Sequence, residues 1–169
     1  MLLETRRLRL RTLTQDDLEH LVALHGDPQV MAFITGEGET PEVVERESLP
    51  ELLKRRTWTL RDKGSDAFVG WASLRLEGDG AELGYRLLRS AWGQGYAAEA
   101  ARALVDLAFG ELGLARIHAQ TMAVNTGSRR VMEKAGLRYL RTFHLAWPDP
   151  LPGTEQGEVE YAITRADWS

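Results

Sequence analysis

The chain has 169 residues, 43% hydrophobic and 27% charged, no cysteine, and a formal net charge of −4. That length suits a single domain spanning 1–169, which can bury about 70% of its unfolded surface without a metal or disulfide staple. Lack of cysteine excludes a disulfide framework, Cys-ligated zinc and a thiol nucleophile, and the acidic balance argues against a nucleic-acid surface. No apolar run approaches the ~20 residues that span a bilayer. The N-terminus is charged almost at once and has no apolar leader core, so the expected location is the cytoplasm. His20, His25, His118 and His144 are scattered along the chain, which gives no reason to expect a metal.

Arg7-Leu8-Arg9-Leu10-Arg11 alternates strictly and reads as a strand with one apolar and one cationic face. The cationic face is either a phosphate patch or a solvated face, the second being favoured. Thr14 reads as an N-cap ahead of a helix striped by Leu18, Leu21, Val22 and Leu24. Asp27-Pro28 ends that helix, and Pro28 can open a short one carrying Val30, Met31 and Ile34. Thr40-Pro41 caps another helix, expected to run toward Leu53 with a break or kink at Pro50.

Trp58 to Leu60, Ala67 to Leu76 and Ala81 to Leu88 then form an antiparallel meander, with turns at Lys63–Asp66 and Gly78–Gly80. Apolar residues from Ala97 to Phe109 recur at helical spacing, with Gly113 as the stop. A strand over Ala115–Val124, a helix over Asn125–Ala135 and strands over Leu137–Ala146 and Glu158–Thr164 complete the order. The fold expected is α+β: a mixed, mostly antiparallel sheet of six to seven strands flanked by about four helices.

Chemistry concentrates after the third meander strand. Gly93-Gln94-Gly95 precedes the Ala-rich helix, so unpaired N–H groups converge where the helix dipole is positive, a nest suited to a diphosphate. The glycines let the ligand approach the backbone closely. Alone this is weak, because the third glycine of a dinucleotide fingerprint and the Lys-Ser/Thr of a P-loop are missing. Asn125 and Ser128 add to it by sharing one face of the next helix's first turn. Singly, Asn125 is a good N-cap and Ser128 an ordinary first-turn residue.

With those residues in hand, the sequence resembles the GNAT superfamily, and within it the RimJ/RimL-type (ribosomal-protein-alanine acetyltransferase-like) N-acetyltransferases. Leu2 to Arg11 is similar to the family's opening strand and Asp27-Pro28-Gln29-Val30-Met31 to its second-helix start. Glu82-Leu83-Gly84-Tyr85 and Gly93 through Ala100 resemble its acetyl-CoA motif, and Asn125-x-x-Ser128 through Gly136 resembles the helix beside the pantetheine arm. Ser90 departs from the pattern, which prefers Gln or Arg there.

The resemblance implies a V-shaped splay of two strands, parting after Leu88 and at Asn125. It further implies acetyl-CoA as co-substrate, its pantetheine pairing with the backbone of Leu87, Leu88 and Arg89. The pyrophosphate would sit on Gln94, Gly95, Tyr96, Ala97 and Ala98, beside Gly93. Arg129 either neighbours the adenosine or faces solvent. The reaction implied is direct attack of a neutral amine on the thioester. Backbone N–H near Leu87 or Leu88 would hold the oxyanion. Glu82 is the candidate base or a sheet anchor; Ser128 is a relay to the leaving thiolate, and Tyr139 a second candidate acid.

The acceptor expected is a protein N-terminal or small-molecule amine. Glu37, Glu39 and Glu42 hint at a cationic acceptor or simply form a solvated acidic face. No nucleic acid, membrane or metal is expected as a partner. Oligomeric state is open, dimers being common in the family. The rival reading is a GNAT-fold module that binds acyl-CoA without turnover.

Overall fold

The computed structural model describes residues 2–168. One sheet of eight strands runs through it in the order β1-β2-β3-β4-β5-β6-β8-β7, one more than the largest number expected. The additional strand comes from the opening segment. It bends at Thr5–Arg7, where Thr5 N–H donates to Leu8 O at 2.9 Å, into an antiparallel pair β1 (Leu2–Glu4) and β2 (Leu8–Thr12).

Thr14 builds a capping box with Asp17 and leads through a 3₁₀ turn into α1 (Leu18–His25). Residues 27–36 form successive turns and not the short helix expected after Pro28. Met31 O accepts from Ile34, Thr35 and Gly36 together, which closes a compact loop instead of propagating a helix. From Pro41 the chain is helical to Lys54, as α2 (Pro41–Val43), a π segment (Val44–Ser48) and α3 (Leu49–Lys54). Pro50 does not break it. Leu49 N–H reaches Val44 O five residues back, so one wide turn absorbs the register just before the proline that has no N–H to give.

β3 (Arg56–Asp62), β4 (Phe68–Glu77) and β5 (Gly80–Leu87) form the expected meander. A crossover through α4 (Tyr96–Gly110) returns the chain to β6 (Arg116–Met122), in parallel with β5. α4 ends at Gly110, three residues before the expected glycine stop, and Gly113 at φ +67° turns the following loop. α5 (Thr126–Lys134), β7 (Arg138–Phe143) and β8 (Glu158–Thr164) finish the fold, with β8 between β6 and β7.

Each sheet face has its own core. α4 and α5 cover one, burying Leu104, Phe109 and Met132 against Leu60, Leu74 and Ile117. α1, the 27–36 loop and α3 cover the other, where Leu21, Leu24, Met31 and Leu52 pack with Trp71. The cationic side chains on and just before β2 are ion-paired: Arg7 with Glu99, Arg9 with Glu4 and Asp66, Arg11 with Asp17. These arginines already have carboxylate partners, which favours the solvated face over the phosphate patch.

Candidate active site

β5 and β6 pair only over Gly80–Glu82 with Arg116–His118. The splay therefore begins at Glu82 and His118, earlier than the expected parting after Leu88 and at Asn125, and widens toward Leu87 and Met122. The β4–β5 register has Leu88 N–H donating to Val69 O at 2.9 Å. By strand alternation Leu83, Tyr85 and Leu87 then turn their backbone groups toward the open edge. Leu88 is thus spent on the sheet, and Leu87 alone of the two keeps an N–H aimed into the gap. The indole Nε1 of Trp92 donates to Leu87 O at 3.0 Å and braces that backbone.

The gap opens into a cleft of about 580 Å³ that continues to the mouth of α4, a size typical of small-molecule sites. Gly93 and Gly95 stand there at φ +74° and +82°, a left-handed conformation that a side chain would strain. Gly95 contributes no side-chain cap, and among the described residues no acceptor takes the N–H groups of Gln94, Gly95, Tyr96, Ala97 or Ala98. A β-carbon at Gly93 would meet nothing within 4 Å. Open donors at a helix N-terminus with free space in front fit a diphosphate. Behind this nest Arg7 donates to Gln94 O at 2.7 Å and stacks over the Tyr96 ring, while Tyr96 OH donates to Asp62 at 2.6 Å.

α5 supplies the opposite wall. Asn125 caps it, accepting from Ser128 N–H at 3.2 Å, and its amide reaches Thr121 Oγ1 at 3.2 Å. Across the gap the Tyr85 hydroxyl lies 2.9 Å from both Ser128 O and Ser128 Oγ. Burial raises the Tyr85 phenol above its ordinary value, against the Ser128 hydrogen bond, so it stays protonated and available as a donor.

On the other sheet face β5 carries Arg86, which also lines the cleft. Its Nη1 lies 3.2 Å from His25 Nε2, and its guanidinium sits 5.1 Å from the Trp71 ring centroid. Trp71 Nε1 donates to His25 Nε2 at 3.1 Å, so Nδ1 carries the imidazole proton toward Glu39 Oε1 at 2.8 Å. Ser48 Oγ donates to the same carboxylate oxygen at 2.7 Å. Burial, then the Arg86 charge, push His25 down to about 4, leaving it neutral at pH 7. Burial tends to raise the Glu39 carboxyl, but hydrogen bonds from Ser48 and His25 overcome it and hold the group low. Burial, opposed by the Glu39 carboxylate and helped by Arg55, brings Arg86 down to about 10.

Of the residues singled out from sequence, Leu87, Gly93, Gly95, Tyr96, Ala97, Ala98, Asn125 and Ser128 all face this cleft. Several do not act as expected. Glu82 lies at the closed end of the splay, its Oε1 held by Arg75 at 2.8 Å. Tyr139 is 53% exposed on the outer strand β7, and its hydroxyl is hydrogen-bonded to Thr142 at 2.6 Å. Neither reaches the cleft, so both acid–base assignments are corrected. Arg129 is neither solvent-facing nor aimed at a ligand: it donates to Tyr161 OH at 3.1 Å and Ala123 O at 3.0 Å, and Arg130 lines the cleft instead. The Arg89 side chain binds Asp27 at 2.7 Å and Gln29 at 3.0 Å, tying the 27–36 loop to the end of β5. Of the acidic residues expected to favour a cationic acceptor, Glu39 is turned inward and Glu37 and Glu42 are exposed. Sequence reading missed the His25–Glu39–Arg86–Trp71 cluster and the Tyr85 partner of Ser128; Tyr85 could have been found as the strand residue whose parity matches Leu87.

The family model described as an acetyltransferase (GNAT) domain matches residues 7–138. A protein of Aspergillus fumigatus named FsC-acetyl coenzyme A-N(2)-transacetylase is 35% identical, the match covering 98% of this chain and 77% of that one. The crystal structure of a GNAT-family acetyltransferase from Bacillus anthracis superposes with a TM-score of 0.83 at 28% identity, covering 98% of this chain and 99% of its own. A spermidine N-acetyltransferase from Vibrio cholerae, in complex with CoA and spermine, shares the fold at a TM-score of 0.77 and 20% identity, covering 96% of this chain and 98% of that one.

Proposed function

The chain belongs to the GNAT acetyltransferases, which transfer acetyl from acetyl-CoA to an amine, and from that premise we propose a direct, single-displacement transfer to a primary amine presented neutral at the open edge of β5. The acceptor in this reading is a small-molecule α-amine or a protein N-terminal amine, as the RimJ/RimL-type resemblance implies. An α-amine of pKa near 7.8 is roughly one-seventh neutral at pH 7, whereas a lysine near 10.4 is neutral only about once in 2500. No base beyond water is then needed, which agrees with a cleft that neither Glu82 nor another ionised carboxylate lines. The Aspergillus relative's name puts its own transfer on a nitrogen designated N(2), in keeping with such an acceptor.

The observation that carries this reading is the paired geometry of Leu87 and Ser128 on opposite sides of one gap. Acetyl-CoA supplies the activated acyl group. Leu87 N–H is the donor for the oxygen that becomes negative as the amine adds, fixed in advance by the β4–β5 ladder. The donors at the mouth of α4 hold the diphosphate and so set the depth of the thioester. Ser128 Oγ, hydrogen-bonded to Tyr85, hands its proton to the departing sulfur and takes back, through water, the proton that the amine gives up.

Release of CoA thiol across a panel of peptides and small amines tests it. Turnover with at least one α-amine is expected. Tight CoA binding without thiol release from any member would instead support the non-catalytic module.

A further inference from the structure

On the inner face of β5 Arg86 feels the Glu39 carboxylate without forming an ion pair with it. Among the described residues Arg86 has no ion pair with a carboxylate, although it is half-buried between His25 and Trp71 and borders the cleft. Glu39 gives one oxygen to both His25 and Ser48. The Nε of Arg86, the Nε of Arg55 and the Oγ of Ser73 are all buried without a hydrogen-bond partner. Ser73 and Arg55 meet beside Gly84, and of the three unsatisfied groups only Arg86, on the same face of β5, lines the cleft. A β-carbon on Gly84 would lie 3.1 Å from Ser73 Oγ, 3.6 Å from the Trp71 ring and 3.8 Å from Arg55 Nη1. Buried donors left unsatisfied are costly, and a forked guanidinium is shaped to take a carboxylate through two of them.

We propose that Arg86 is a carboxylate subsite, and that the acceptor is an amine bearing a carboxylate, as an amino acid does. Phe33 and Ile34, each 40% exposed on the loop across the cleft, offer apolar surface to the rest of the acceptor. The diphosphate nest lies at the mouth of α4, on the opposite sheet face, so the two anions do not compete. The proposal rests on the acetyl-CoA reading above and adds the chemistry of the second substrate.

Binding of the acetylated product tests it free of differences in amine basicity. CoA-saturated protein is titrated calorimetrically with N-acetyl-phenylalanine and with N-acetyl-phenylalaninamide, which differ in the carboxylate alone. The acid should bind about 10- to 100-fold more tightly than the amide, the range for a charge-assisted pair of hydrogen bonds. Arg86→Gln should bring the two affinities within about twofold of each other and leave the Kd for CoA itself unchanged. Should Arg86→Gln melt early, Arg86→Lys, which keeps the charge and loses the fork, should cut the preference at least threefold. Equal affinities, no measurable binding of the acid, survival of the preference in both variants, or a parallel loss of CoA affinity in Arg86→Gln would each overturn the subsite. Failure of CoA to bind the wild-type protein would instead overturn the acetyl-CoA reading beneath it.

Discussion

The two ends of the cleft are built from different materials. At the mouth of α4 the ligand-facing groups are backbone N–H donors on consecutive residues, Gln94 to Ala98, held open by two left-handed glycines. At the inner face of β5 the cleft wall is the side chain of Arg86, set in place by segments far apart in the chain, with His25 on α1, Glu39 in a loop and Trp71 on β4 behind it. The first arrangement tolerates varied side chains because its chemistry belongs to the main chain. The second is set by which residues the fold brings together, so it is the place where relatives with one cofactor can differ in acceptor.

Substitutions at each end should fail differently. The largest effect expected is Gly95→Val, which strains a φ of +82° and pushes a β-carbon to 3.2 Å from the Arg7 guanidinium. CoA binding should weaken on the order of 1000-fold by calorimetry, since strain and lost phosphate donors add. A loss below tenfold would mean the nest is not where the diphosphate sits.

The acceptor end should register in pH dependence. His25 is held near 4 when folded against 6.5 as its ordinary value, so between those values the unfolded chain binds the extra proton. Stability then falls as pH drops from about 6.5 to about 4, by about 3 kcal/mol at most. Urea unfolding of the wild type should show that slope and His25→Gln should lack it. An unchanged slope in the variant would assign the pH response elsewhere.

Next in size, Ser128→Ala and Tyr85→Phe should each lower kcat about 100-fold, and the double variant little more, if the pair acts as one proton relay. Losses under tenfold would remove both from proton transfer. The smallest changes, under about tenfold in kcat/KM, are expected for Glu82→Gln and Tyr139→Phe, whose partners are Arg75 and Thr142 and not a substrate. A larger loss at either would restore it as a catalytic candidate.

This contrast also explains what could be read from sequence. Gly93-Gln94-Gly95 ahead of an apolar helix, and Asn125 ahead of Ser128, are local patterns whose geometry follows from a turn and a helix start; the cleft contains both. Strand alternation located β5 and β8 to within a residue. Residues 27–36 misled because proline at a first-turn position permits a helix without compelling one. Glu82 and Tyr139 misled because residue type states what a side chain can do, while a neighbour across the sheet decides whether it is free to do it. His25 offered no local signal, since its partners come from residues 39, 71 and 86.

The bend between β1 and β2 has a bearing on ligand affinity from outside the cleft. Glu99 lies in the first turn of α4, where its carboxylate would repel an arriving diphosphate. Thr5 Oγ1 donates to it, and Arg7 donates through its backbone N–H and its guanidinium, each at 2.8 Å. The opening hairpin thus acts as an electrostatic shim. Trimming or displacing the first seven residues would unmask a negative charge beside the anion's landing place and slow its capture, most visibly in dilute buffer where no counterions do the screening.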